Sequence, residues 1–406
     1  MAQGKRWVAI RYVCTVLFLT GLLGASSTSA AEWTSSDVGS PGVAGTAVKT
    51  DGVWTVRGAG SDIWGTDDSF QYLHRPALPG RSHIDARLDD LSNTHPFAKA
   101  GLMVRGSLDP DASAVIVSLK PNNEIEFMHR PTAGAEMIYD GGTGVSLPVW
   151  LRLSWFDTTR GGSGVQTYTV TASISQDGTT WSALGEAPLS IESAGSMEAG
   201  AVVLSHDPGQ LNTAHFEGLS MLPDGWSSTD IGNTGVRGSA SEDLVGIDGV
   251  LTIEGAGADV WGAADSFQFV HTTVSGSFLD YQVLRIDNTH QFAKGGLMIR
   301  DGLSPDAVNL ILDVKPDGGI EFMARTCTGC ETQYLGGTTV NLPIALDIVK
   351  NGNTFDAYVE QYGNPASRRL VGSVTLALGP TFEFGFAVTS HDVGRLTTAV
   401  FDHPPQ

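Results

Sequence analysis

Nearly every distinctive phrase in this chain is written twice, which constrains its architecture more than any composition does. GAGSDIWGTDDSFQY at 58 to 72 returns as GAGADVWGAADSFQF at 255 to 269, and NTHPFAKAGLMVR at 93 to 105 returns as NTHQFAKGGLMIR at 288 to 300. KPNNEIEFMHR at 120 to 130 returns as KPDGGIEFMAR at 315 to 325, and GGTGVSLPVWLRL at 141 to 153 as GGTTVNLPIALDI at 336 to 348. Each half opens on a tryptophan phrase, EWTSSDVG then GWSSTDIG, and closes on SHDPGQLNTAHFEGL then SHDVGRLTTAVFDH. Solenoid repeats run about 20–50 residues, so copies this long are tandem domains, each large enough to bury its own core. Residues 32–222 form the first expected domain and 223–406 the second, divided at the turn-forming Leu222-Pro223-Asp224-Gly225.

Within a copy the apolar segments are short, β-branched or aromatic, and bounded by Gly, Pro, Asn and Asp: VWTVRG, SFQYLH, AGLMVRG, AVIVSLK, EIEFMHR, VWLRLSWF, YTVTASIS and AGAVVLS. Those are strands. No window carries a sustained helical period, and the 50 glycines disfavour any helix proposed. The expected fold is all-β, two tandem jelly-roll β-sandwiches whose edges are folded into packed sheets.

The first 31 residues read as a signal peptide: Lys5, Arg6 and Arg11 precede an apolar run too short to span a bilayer, and small residues then suit cleavage before Ala31 or Glu32. No later stretch is long and apolar enough for membrane insertion, so a secreted protein, extracellular or at the cell surface, is expected. The signal takes with it three of 24 basic residues and none of 44 acidic ones, leaving 21 − 44 = −23. Nucleic acid is therefore excluded as a partner, because phosphate binding needs a basic surface. Of the three cysteines, Cys14 leaves with the signal; Cys327 and Cys330 remain, spaced for a local disulfide, with a redox pair as the competing reading.

The phrases GAGxDxWGxxDSFQ, NTHxFAKxGLMxR, IEFMxR after a Lys-Pro turn, and SHDxGxLxTAxF resemble a bacterial secreted domain of the concanavalin A-like lectin/glucanase superfamily, of the regulation-of-enolase type, over nearly the whole mature chain. The resemblance implies the sandwich fold. The superfamily holds lectins, adhesion domains, glycosidases and lyases, so fold alone selects no activity.

Side-chain alternation nominates the chemistry. In the first quoted strand Ala98, Ala100, Leu102 and Val104 share one face, while Phe97, Lys99, Met103 and Arg105 share the other. IEFMHR behaves alike, with Glu126, Met128 and Arg130 on one side. If the strands share a sheet, each copy has a face bearing Lys99, Arg105, Glu126 and Arg130, or Lys294, Arg300, Glu321 and Arg325. Two readings stay open: a groove for a glycan, or a lattice of self-satisfied ion pairs. Trp64, His95 and His206 in the first copy, and Trp261, His290 and His391 in the second, add rings for stacking and directional hydrogen bonds, with core packing or turn capping as the alternatives.

No cofactor is required, although calcium is a candidate for the turn aspartates Asp62, Asp68, Asp259 and Asp265. Glu124 and Glu126 are the nearest carboxylate pair for glycoside hydrolysis, but Glu124 becomes Gly319 in the second copy, and Gly-x-Ser-x-Gly and His-Glu-x-x-His are absent. The expected function is non-catalytic binding of extracellular or cell-wall polysaccharide at each sandwich. The alternatives are a polysaccharide hydrolase or lyase working in one domain, and an adhesion or assembly module that binds protein.

Overall fold

The structure is a computed structural model that describes residues 32–159, 164–192, 197–245, 248–275, 281–361 and 364–403; the expected signal segment lies outside them. Apart from a single 3-10 turn at Pro365–Ser367, every regular element among the described residues is a strand. No described helix is long and apolar enough to cross a membrane. Each of the eight segments read as strands coincides with a strand to within one residue at the ends it overruns, two of them, Val53–Gly58 and Glu124–Arg130, with unchanged limits.

Each copy contributes one seven-stranded sheet. In the first copy its order is Thr34–Val38, Phe70–Pro76, Glu198–Leu204, Lys99–Arg105, Ala114–Leu119, Glu124–Arg130 and Ile138–Gly144. The second repeats it with Ser227–Ile231, Phe267–Val274, Phe382–Thr389, Lys294–Arg300, Asn309–Val314, Gly319–Arg325 and Gln333–Thr339. Opposite both runs a 14-stranded sheet to which the two copies contribute. Alternation fixes which side chains enter the space between. Ala100, Leu102, Val104, Val115, Val117 and Phe127 meet Ile84, Leu151, Leu153, Val170 and Phe216 in one buried core. Leu297, Ile299, Leu310, Leu312 and Phe322 meet Ile253, Leu346, Ile348 and Phe401 in the other. Each fully buried side chain of this size stabilises by about 1.5–3 kcal/mol, so a one-residue slip in register would invert the gain along a whole strand.

The shared sheet is continuous because Asn212–Pro223, the closing strand of the first copy, meets Ser239–Val245 of the second in parallel at Met221 and Ser241. Ion pairs staple the junction. Arg75, 1% exposed in its side chain, reaches Asp243; Lys49 reaches Glu254; and Arg237 Nε lies 3.2 Å from Glu217 while its guanidinium sits 5.2 Å from the Trp150 ring centre. Asp243→Ala strands the buried Arg75 guanidinium, and equilibrium denaturation should show a loss of about 3–5 kcal/mol, the usual cost of breaking a buried pair from one side.

Candidate functional site

Backbone register brings together what alternation proposed. Lys99–Arg105 and Glu124–Arg130 lie in one sheet with Ala114–Leu119 between them, so that Gly101, Ser118 and Glu126 form one row, Met103, Ile116 and Met128 the next, and Arg105, Ala114 and Arg130 the third. All point away from the main core. The face they share is nevertheless roofed: Val38, Ile63, Phe70, Tyr72, Met103, Ile116, Met128 and Met137 make a second, smaller apolar cluster on that side. Ile231, Val260, Phe267, Phe269, Met298, Ile311 and Met323 repeat it in the other copy.

The roof is tied down by charge. Asp68, at the end of the small hairpin Ile63–Trp64 and Asp67–Asp68, accepts two bonds from Arg130, Nη2 to Oδ1 at 2.7 Å and Nη1 to Oδ2 at 2.9 Å, while Arg105 Nη1 stands 3.5 Å from Oδ2. The remaining guanidinium protons go to loop carbonyls: Arg130 to Gly65, Ala112 and Ala135 at 3.0–3.1 Å, and Arg105 to Ser107 at 2.6 Å and Asp109 at 2.5 Å. Asp265 takes Arg325 and Arg300 in the same way, at 2.6 and 3.5 Å. The side chains of Arg105, Arg130, Arg300 and Arg325 are all 0% exposed. The expected open groove is therefore corrected for these four arginines: each is consumed in a buried pair and presents nothing to a ligand. A carboxylate holding two guanidinium groups also leaves no place for calcium, which corrects the metal expectation at Asp68 and Asp265.

Asp62 and Asp259 are likewise engaged. Lys99 Nζ lies 2.6 Å from Asp62 Oδ1, and His206 Nδ1 lies 3.5 Å from its Oδ2; Lys294 and His391 stand at 2.6 and 3.3 Å from Asp259. The lysine in each copy takes one oxygen of the aspartate while the imidazole stands near the other without a hydrogen bond, and no cluster of three or more metal-ligating side chains occurs among the described residues. Lys99 and Lys294, with side chains 4% and 5% exposed, act from below the surface and hold these aspartates in place. Lys120 bridges the expected carboxylate pair, with Nζ 3.0 Å from Glu124 and 2.9 Å from Glu126. The Lys120 hydrogen bond lowers the Glu124 pKa, the opposite of what a general acid needs.

Beyond the roof, at the end of the sheet where Lys99–Arg105 begins, rings reach solvent. His95 and His206 stack with centres 4.3 Å apart, and Phe97 completes the cluster at 5.8 and 5.6 Å. Phe97 precedes the strand instead of belonging to it and is 52% exposed, with Lys120 Nζ 5.7 Å from its ring centre. His290, His391 and Phe292 reproduce the cluster at 4.6, 5.7 and 5.4 Å, with Lys315 5.7 Å from Phe292. His206 and His391 hold left-handed backbone, φ 57° and 58°, a conformation uncommon outside glycine. Partial burial lowers the His206 pKa, Asp62 opposes that, and the neighbouring His95 and Lys99 add to the lowering.

Besides Lys120 and Lys315, two tyrosines of the open end escaped the sequence reading. Tyr139 lies in the glycine-rich edge strand Ile138–Gly144, in register with Met128 and 47% exposed. Its hydroxyl leans over Gly142, where any Cβ would stand 2.8 Å from Oη and 2.3 Å from the Ile125 carbonyl, and Gly142 is the register partner of Glu126. Tyr334 leans over Gly337, the partner of Glu321, in the same way. Trp64 and Trp261 are also exposed, 50% and 48%, at the tip of the roof, where the core alternative would have buried them.

Several buried polar groups differ between the copies, Asp313 among them. Asp313 replaces Ser118, directly opposite Glu321, with neither carboxylate oxygen hydrogen-bonded. Burial pushes its pKa well up; Lys294 opposes this, and Glu321 and Asp259 add to it.

No family model matches the chain, and no curated protein does. Among solved structures, a functionally unknown protein from Saccharomyces cerevisiae is 15% identical, with 47% of this chain and 96% of that one covered and a TM-score of 0.34. A xylan beta-1,4-xylosidase from Bacillus halodurans C-125 is 11% identical, with coverages of 90% and 87% and a TM-score of 0.30. A polysaccharide lyase of family 18 is 11% identical, with coverages of 44% and 95% and a TM-score of 0.23. Likenesses this distant carry no argument about the site.

Two outcomes follow from these contacts. Asp68→Ala leaves two buried guanidinium groups without a carboxylate and should cost about 3–5 kcal/mol in denaturant titrations. For Asp313 the folded pKa lies above the unfolded one, so the wild type loses stability as pH rises from about 4 toward the folded value. Asp313→Ser should be more stable at pH 8 by about 1–3 kcal/mol, the cost of an unsatisfied buried polar group, with the gain vanishing near pH 4 in thermal melts.

Proposed function

We propose that the protein binds extracellular or cell-wall polysaccharide without catalysis, one weak site lying at the open end of each seven-stranded sheet. The observation that carries the reading is the recurrence of the same ring cluster, an exposed Phe97 or Phe292 against the half-buried His95 and His206 or His290 and His391, beside the same lysine-carboxylate pair, Lys120 with Glu126 or Lys315 with Glu321. Exposed rings offer sugars an apolar face, and the neighbouring imidazoles, lysine and carboxylate supply hydrogen bonds to hydroxyl groups. Tyr139 and Tyr334 border the site from the edge strand. The buried arginines hold the frame and the rings meet the ligand.

The two copies share a continuous sheet, so their sites have a defined relative orientation and a polymer long enough to reach both gains avidity. The signal-like leader and the disulfide support an activity outside the cell. A glycan array probed with the mature protein, followed by titration of the best polysaccharide, tests the reading. Phe97→Ala or Phe292→Ala alone should weaken apparent affinity at least about ten-fold, and the double variant should abolish binding with its melting temperature kept. An array with no signal, or a double variant that binds like the wild type, would overturn it. Turnover of a bound polysaccharide would instead favour the hydrolase or lyase alternative.

A further inference from the structure

The second copy carries a disulfide, Cys327 to Cys330, in a turn that the first copy builds without cysteines. Thr132 and Ala135 occupy the equivalent places, and the backbone bonds are the same. Gly134 donates to the Asp111 carbonyl at 2.8 Å, as Gly329 does to Asp306 at 2.9 Å. Ala135 donates to Thr132 at 3.2 Å, as Cys330 does to Cys327 at 3.1 Å, and Met137 donates to Gly65 as Thr332 does to Gly262, both at 2.9 Å. The carbonyl that anchors the buried arginine is equally indifferent to sulfur: Arg130 reaches Ala135 and Arg325 reaches Cys330, both at 3.0 Å. The glycine takes φ 72° in one turn and 70° in the other. The first copy thus serves as an internal control: loop geometry and the arginine anchor are complete without the covalent bond.

What the disulfide adds is chemistry at the surface. Cys327 is exposed and Cys330 partly so, while the hydrogen bonds that hold the turn are made by backbone groups. We propose that Cys327–Cys330 is a reversible thiol-disulfide exchange site. A thiolate from a low-molecular-weight thiol or from a cysteine of another protein attacks the exposed Cys327 Sγ. The new S–S bond forms as the Cys327–Cys330 bond breaks, and Cys330 leaves as a thiolate that takes up a proton from water. Attack by Cys330 on the mixed disulfide reverses the step and releases the incoming thiol, so no outside oxidant is consumed.

The full-length mature protein tests this directly, with reduced glutathione or dithiothreitol as the probe and intact-mass detection. Native protein should be reduced without unfolding, its near-ultraviolet circular dichroism unchanged and its melting temperature within about 2 °C of the oxidised form. The Cys330→Ser variant, incubated with glutathione disulfide, should accumulate mixed disulfide at Cys327 at least ten-fold faster than Cys327→Ser does at Cys330. The paired replacement Cys327→Thr with Cys330→Ala copies the first copy's own turn and should fold like the wild type, which separates loss of exchange from loss of structure. Reduction that requires denaturant, a fall of 5 °C or more on reduction, or equal labelling of the two single variants would overturn the proposal.

Discussion

One carboxylate between two guanidinium groups sets the character of each copy. Asp68 with Arg130 and Arg105, and Asp265 with Arg325 and Arg300, bind a long loop onto the outward face of a sheet that its own alternation would leave bare. A fully buried triad gains little over a hydrophobic substitute in net stability, because desolvating three charges offsets most of their attraction. What it supplies here is position. Two rigid forks and the carbonyls of Gly65, Ala112 and Ala135 admit one placement of the roof, and that placement decides which part of the sheet is sealed and which remains open.

The architecture was legible in the sequence because it rests on local signals. Alternation and turn residues located the strands, and the doubled phrases located the copies. The face assignment also held: Lys99, Met103 and Arg105 do point away from the main core. Outward did not mean open, however, because alternation reports a direction and says nothing of a loop that comes from 37 to 62 residues earlier in the chain to cover it. A clue was present in the pattern itself. Met103 and Met128, joined by Ile116 on the strand between them, put an apolar row on the supposed wet face, and such a row needs a cover.

The site residues divide along the same line. Arg105, Arg130, Arg300 and Arg325 drew attention as charges on strands, and long-range pairing with Asp68 and Asp265 turned them into framework; the same pairing removed those aspartates from any calcium site. Phe97 sits at a strand entrance, where the chain turns too soon for the two-residue period to apply. Tyr139 lies in a strand whose Gly-Gly-Thr-Gly run carries no β-branched pattern, so only its recurrence as Tyr334 marked it. Comparing the copies position by position is more informative than periodicity at such places, as Asp313 against Ser118 and Cys327 against Thr132 also show.

The division of labour between buried arginines and exposed rings is most directly read by hydroxyl-radical footprinting of the protein with and without a bound polysaccharide. The account predicts that the ligand protects Phe97, Phe292, Tyr139, Tyr334 and the four clustered histidines, while Met103, Met128, Met298 and Met323 beneath the roof stay unreactive in both states. Protection confined to other surfaces, or roof methionines that react freely until the polysaccharide is added, would contradict it.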